Sequence, residues 1–211
     1  MIEVVVVGAG GFGRETLDVA EAAARAGQQV VVRGVADDAP SPEALARVAR
    51  RGVPYLGTVA EALAAAPGAS WTVGVGDPAA RGRVVAQLAA AGVPACTLVH
   101  PSAVLGSGVT VGAGSVVCAG AQVSTEVVLG PWCHLNPGAV VGHDAVLEEL
   151  VSDNPGAVVS GAVHVGRGAL VGAGAVVLQG LRVGAGATVG AAACVTRDVP
   201  PGSVVKGVPA R

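Results

Sequence analysis

Aromatic residues are nearly absent from this chain of 211 residues. Two Trp, one Tyr and one Phe make up 2% of it, although 52% of its residues are hydrophobic. A core without large rings must be built from Val, Leu and Ala, which suits narrow coils better than a thick globular interior. Charge is equally sparse: 13% of residues are charged and the net charge is -2. That leaves no electrostatic case for nucleic acid or an acidic membrane surface as partner. Apolar runs such as Val4–Val7 fall far short of the roughly 20 residues that span a bilayer, and no basic segment precedes that run as it would in a signal peptide. Four cysteines, Cys96, Cys118, Cys133 and Cys194, show no CxxC spacing. They read as buried thiols of a cytoplasmic protein, not as a disulfide framework or a zinc site.

What the chain has instead is a repeat. Every sixth residue from Leu105 to Val195 is Leu or Val in fifteen of sixteen cases, the exception being Asp153. Glycine often follows, as at Gly106, Gly112, Gly130, Gly142, Gly166, Gly172, Gly184 and Gly190. This is the hexapeptide period of a β-helix. Each hexad supplies one short strand and one corner, with the aliphatic residue pointing inward, and three hexads close a triangular coil of about 18 residues. Stacked at about 4.8 Å, the coils form a prism.

Residues 1–96 read differently. Strand Val4–Val7 leads into Gly8-Ala9-Gly10-Gly11-Phe12-Gly13 and a helix from Arg14 to about Ala26. Strand Gln29–Val35 ends in Asp37-Asp38. Helices are expected over Ser41–Arg51, with Ser41 as cap, and over Thr58–Ala65, with Thr58 and Glu61 as a capping box. Strand Trp71–Val75 and helix Asp77–Ala91 complete an α/β alternation, which implies a small Rossmann-like parallel sheet with helices on its faces. The expected division is residues 1–96 for this unit and 97–211 for the β-helix with a short C-terminal tail.

Several residues stand out. Gly8-x-Gly10-x-x-Gly13 lies between a strand and a helix, where glycines let backbone N–H groups approach an anion. Nucleotide or nucleotide-sugar binding, a structural tight turn and NAD binding are all readings of it, but too few strands follow for a full NAD domain. Asp37 and Asp38 stand where such a domain holds a ribose. His143 comes two places after inward Val141, so it leaves the coil at a corner. An imidazole there can take a proton near neutral pH, with Asp144 orienting it; the alternative is an ordinary exposed histidine. Asn136 is either a turn residue or a second polar site group. His134 and His164 read as isolated on the prism surface and His100 lies at the junction, so no metal site is expected. Lys206, Arg197 and Arg211 are either a solvated tail or contacts to a coenzyme phosphate. Strict register would bury Asp153 among aliphatic groups. The expectation is therefore that Glu149–Asn154 leaves register or that the carboxylate is held by backbone N–H groups or Ser152.

Taken together, VVVVGAGGFGRE, VADD, YLGTVAEAL, GVGDPAAR, TLVHPSAVLG, LNPGAVVGHDAVL and the final GVPAR resemble the sugar acetyltransferases of the sialic-acid and bacillosamine pathways. The resemblance covers the whole chain. It implies a left-handed parallel β-helix, a rare exception to right-handed crossovers, and a homotrimer with sites between subunits. It implies acyl-CoA, most simply acetyl-CoA, as co-substrate and a small amino or hydroxy acceptor, in the first place a nucleotide-linked amino sugar; the rival reading is a non-catalytic ligand-binding or assembly protein on the same fold. The family's catalytic histidine falls on His143, its following acid on Asp144 and its site asparagine on Asn136. The glycine turn falls on Gly8, Gly10, Gly11 and Gly13, and the acidic positions near the nucleoside on Asp37 and Asp38. Gly161 matches a position close to the coenzyme thiol, and Lys206 lies in the tail that would meet the coenzyme. Two departures are visible. Phe12 stands where the family's glycine turn carries a histidine, and Ser152 stands where a second histidine is usual.

Overall fold

The computed structural model describes all residues, Met1–Arg211. The chain divides into two compact units, Met1–Pro101 and Ser102–Arg211.

The first unit is a three-stranded parallel sheet. Its elements are β1 (Ile2–Val7), α1 (Gly11–Arg25), β2 (Val30–Ala36), α2 (Pro42–Ala49), α3 (Val59–Ala65), β3 (Ser70–Val73), α4 (Pro78–Ala90) and β4 (Leu98–Val99). Strand order is β2-β1-β3, with the apolar β1 in the centre. Val4 to Val7 are buried, as is expected of a strand covered on both faces. The short β4 packs against α1, which keeps residues 98–101 with this unit. Ser41 caps α2 by accepting from Ala44 N–H, and Thr58 with Glu61 forms the capping box of α3.

Helix α1 begins at Gly11, three residues before the expected start. Glycine disfavours helix interiors, but here close approach requires it. A Cβ on Gly13 would overlap the Gly8 carbonyl, and one on Gly74 would stand 2.5 Å from Gly13 Cα. The end of β1, the first turn of α1 and the end of β3 therefore meet through three glycines. Gly8 itself adopts φ +113°, open to glycine almost alone.

The second unit is a left-handed parallel β-helix. Two-residue strands stack with a period of 18, as in Leu135↔Asp153↔Val171, Val141↔Val159 and Leu147↔Val165. Backbone hydrogen bonds of 2.7–3.1 Å join each coil to the next, for example Gly142 N–H to Val159 O and Val146 N–H to Val163 O. The interior has two columns per side. One is the Leu/Val column of the repeat. The other lies two residues earlier and holds small residues such as Ala139, Ala145, Ala157, Ala169 and Ala175, all buried. This pairing of aliphatic with methyl fills the narrow triangle and explains the missing aromatics. Every sixth residue from Gly108 to Ala192 turns the chain with positive φ. Nine of these fifteen are Gly, and the rest are Glu126, Trp132, Asp144, Leu150, Ala162 and Ala192.

Three expectations are corrected. His134 points out of the coil but is buried, like Val116 and Ser152 beside it, because outward in the strand alternation does not mean solvent-facing. Cys194 is half-buried, since it takes an outward position, while the other three cysteines are buried. Asp153 keeps its register, is 0% exposed, and neither carboxylate oxygen has a hydrogen-bond partner. The ladder that fixes this register is backbone only: Ser152 N–H to Ala169 O, Asn154 N–H to Val171 O and Asn136 N–H to Asp153 O. Such bonds form whatever the side chain is.

Candidate active site

His143 follows the strand Val140–Val141 and opens the corner that leads to Val146–Leu147. Its Nδ1 lies 2.7 Å from Asp144 Oδ2, and both side chains are at least half exposed. Asp144 holds φ +59°, the corner conformation, and a short polar side chain tolerates it better than most. With Nδ1–H donating to the carboxylate, Nε2 is left as the basic nitrogen. One coil further on, Gly161 leaves space beneath the ring: a Cβ there would stand 2.6 Å from His143 Nε2. Ala162 N–H bonds to the His143 carbonyl at 2.7 Å and locks the two corners together. The chain thus presents a carboxylate-oriented imidazole over a bare backbone, an arrangement suited to proton abstraction beside a bound acyl group.

Asn136 occupies a different corner, after Leu135. It is buried, and its Nδ2 donates to Asn154 Oδ1 at 2.8 Å, forming a two-rung ladder. Two asparagines 18 residues apart are a signal the repeat period alone makes readable. Lys206 is exposed on a C-terminal turn that is closed by reciprocal backbone bonds with Arg211. His164 is not isolated. Its Nε2 lies 3.0 Å from Glu148 Oε1 and its Nδ1 2.7 Å from Arg182 Nη2. Because arginine only donates, Nδ1 accepts from it and Nε2–H donates to Glu148.

In the first unit Gly8, Asp37 and Asp38 border a cavity of about 520 Å³, which Arg83 and Gln87 of α4 also line. Asp37 accepts from Ala9 N–H at 2.8 Å and from Ala39 N–H at 3.0 Å, so it ties the glycine turn to the end of β2. Asp38 accepts from Val59 N–H at 2.8 Å, at the start of α3. Gly10 and Gly11 have open space where a Cβ would lie, and Phe12 is half-buried in the first turn of α1. Arg81, fully buried, donates to the carbonyls of Val75 and Gly76 and pins the loop after β3. Sequence reasoning missed Arg83 and Gln87, which are legible only once α4 is placed against the sheet.

Residues 3–88 match the PglD N-terminal domain family. No curated protein sequence matches the chain. Among solved structures, a histidine-to-asparagine mutant of perosamine N-acetyltransferase from Caulobacter crescentus, in complex with CoA and GDP-perosamine, is 31% identical. The match covers 99% of this chain and 95% of that one with a TM-score of 0.88. The acetyltransferase domain of PglB from Neisseria gonorrhoeae, in complex with acetyl coenzyme A, is 33% identical over 99% and 98% of the two chains, with a TM-score of 0.83. WeeI from Acinetobacter baumannii is 26% identical over 100% and 99%, with a TM-score of 0.85. With likeness of this extent running through both units, the chain belongs to the acyl-CoA-dependent sugar acetyltransferases of the PglD type.

Proposed function

We propose that the protein transfers an acyl group, most simply acetyl, from acyl-CoA to the amine of a nucleotide-linked amino sugar. The observation that carries this reading is the His143–Asp144 pair with Nε2 over Gly161. His143 is the general base. The acceptor nitrogen bonds to the thioester carbon and the carbon–sulfur bond breaks. The amine proton passes to Nε2 and from there to the departing thiolate. Asp144 positions the ring, and a backbone N–H near Gly161 meets the developing oxyanion. Residues 1–96 bind the acceptor through Gly8, Gly10, Gly11, Phe12, Gly13, Asp37 and Asp38. Residues 97–211 bind acyl-CoA, with Lys206 near its phosphates, and Asn136 is a further acceptor-binding residue. The related perosamine enzyme, crystallised with CoA and a nucleotide amino sugar, supports this assignment.

The decisive assay follows free thiol release from acetyl-CoA in the presence of nucleotide-linked amino sugars. Release must require a sugar with a free amine. Equal release with the corresponding hydroxy sugar, or none with any amino sugar, overturns the reading.

The active unit in this proposal is a homotrimer. One outward column of the β-helix, Val104, Gln122, Val140, Val158, Val176 and Cys194, is apolar except at Gln122, with Val104 55% exposed. Such a stripe is suited to burial by a second copy, and closed cyclic assemblies are the norm. Gel filtration with light scattering is expected to give three times the chain mass; a monomer at micromolar concentration would exclude this arrangement. No helix is long and apolar enough to cross a membrane. The buried thiols Cys96, Cys118 and Cys133 fit a reducing compartment, the cytoplasm.

A further inference from the structure

The cavity of the first unit contains polar groups that the fold does not use. Helix α4 turns Ala80, Arg83, Val84 and Gln87 toward it, the i, i+3, i+4, i+7 stripe. The face of α4 that is buried is a different one, Pro78, Arg81 and Leu88, so this stripe borders the open cavity. Two of its four members, Arg83 and Gln87, are polar and exposed, and their side chains make no hydrogen bond or ion pair within the chain. Asp38 spends one lone pair of Oδ1 on Val59 N–H and leaves Oδ2 without a partner. Asp37, by contrast, has both oxygens engaged by backbone N–H groups. Val7, Val59, Val75 and Val84 supply apolar walls.

Apolar walls with a free carboxylate and a free guanidinium fit a heteroaromatic base, and the donor and acceptor order selects which base. Guanine offers N1–H and N2–H side by side to one carboxylate, and O6 and N7 side by side to an arginine fork. Uracil and thymine offer a single N3–H between two carbonyl oxygens, so the second carboxylate oxygen would face a lone pair. Adenine sets acceptor N1 beside its amino group, with the same conflict. Building on the nucleotide-sugar acceptor proposed above, we infer that the cavity selects guanosine diphosphate-linked sugars. Asp38 takes N1–H and N2–H, and Arg83 donates to O6 and N7.

Calorimetry on the intact protein with GDP, UDP, dTDP, ADP and IDP tests this. GDP is expected to bind about 10-fold or more tighter than UDP, dTDP and ADP, the discrimination of one good bidentate pair. IDP, which lacks the 2-amino group, falls between GDP and the others. Asp38→Asn keeps an acceptor for Val59 N–H, and so the start of α3, but erases the preference for GDP over UDP. Arg83→Leu, a good helix former, weakens GDP more than UDP. UDP, dTDP or ADP binding as tightly as GDP overturns the inference while leaving the acceptor reading intact. If none of the five binds, the acceptor reading itself fails.

Discussion

Replacing His143 with Ala is expected to lower turnover about 10²- to 10⁴-fold, the usual contribution of a positioned general base. Affinity for acetyl-CoA, measured by calorimetry, should stay within about twofold, because uniform binding of the donor does not depend on the base. Asp144→Asn removes the charge 2.7 Å from Nδ1 but keeps a hydrogen-bonding partner, so its loss should be smaller. Gly161→Ala reaches the same endpoint by another route. A Cβ there stands 2.6–3.0 Å from three atoms of the imidazole. The ring is the free end of a half-exposed side chain and swings away at little cost, so melting temperature should hardly move. Turnover should still fall, by up to about 10²-fold, the penalty for a catalytic group misplaced by about 1 Å. A His143→Ala variant with near-normal turnover would end the mechanism. A Gly161→Ala variant with full activity would show that the base works from another rotamer.

The repeat made the β-helix legible because three constraints share its period. The inward aliphatic residue, the small residue two places earlier and the left-handed corner all recur every six residues, so one frame assigns all three. That frame also sent His143 to an outward corner. It fails where a property depends on what lies outside the coil. His134 faces outward yet is buried, and no periodicity within the coil encodes its cover. His164 reads as isolated in the sequence because Glu148 and Arg182 are 16 and 18 residues away, yet these are neighbours in a structure that closes every 18. In the first unit the glycine turn and the caps follow from local rules. The polar stripe of Arg83 and Gln87 does not, since a helix of weak amphipathicity looks much the same on every face until its sheet is in place. The sequence places the start of helix α1 too late for a related reason. The propensity of Gly11 and Gly13 argues against a helix, and tertiary contact with Gly8 and Gly74 prevails.

Asp153→Val is expected to stabilise the protein by roughly 1–3 kcal/mol, the cost of a buried polar group left without partners. The wild-type side chain stands between Leu135 and Val171 in the adjacent coils, is fully buried, and leaves both oxygens unpartnered. Valine has nearly its size and matches the inward residue at most other coils, so no cavity opens. Desolvation pushes the Asp153 carboxyl well above its ordinary range in the folded state. In the unfolded chain it titrates at about 3.9. Below that pH both states carry the proton, and this group makes no pH-dependent contribution. Above it the unfolded state loses the proton while the folded state keeps it, so stability falls as pH rises, until the folded carboxyl also ionises. The advantage of Asp153→Val should therefore be smallest near pH 4 and grow toward neutrality. Asp153→Asn should abolish the pH-dependent part but recover less stability, because its amide remains buried without partners. Thermal melts of all three proteins at one chain concentration, from pH 4 to 8, measure both effects; the concentration is held fixed because assembly shifts the midpoint. If Asp153→Val melts lower than wild type, or if its advantage does not grow with pH, the carboxylate is paired in solution and the strain assigned to it here is absent.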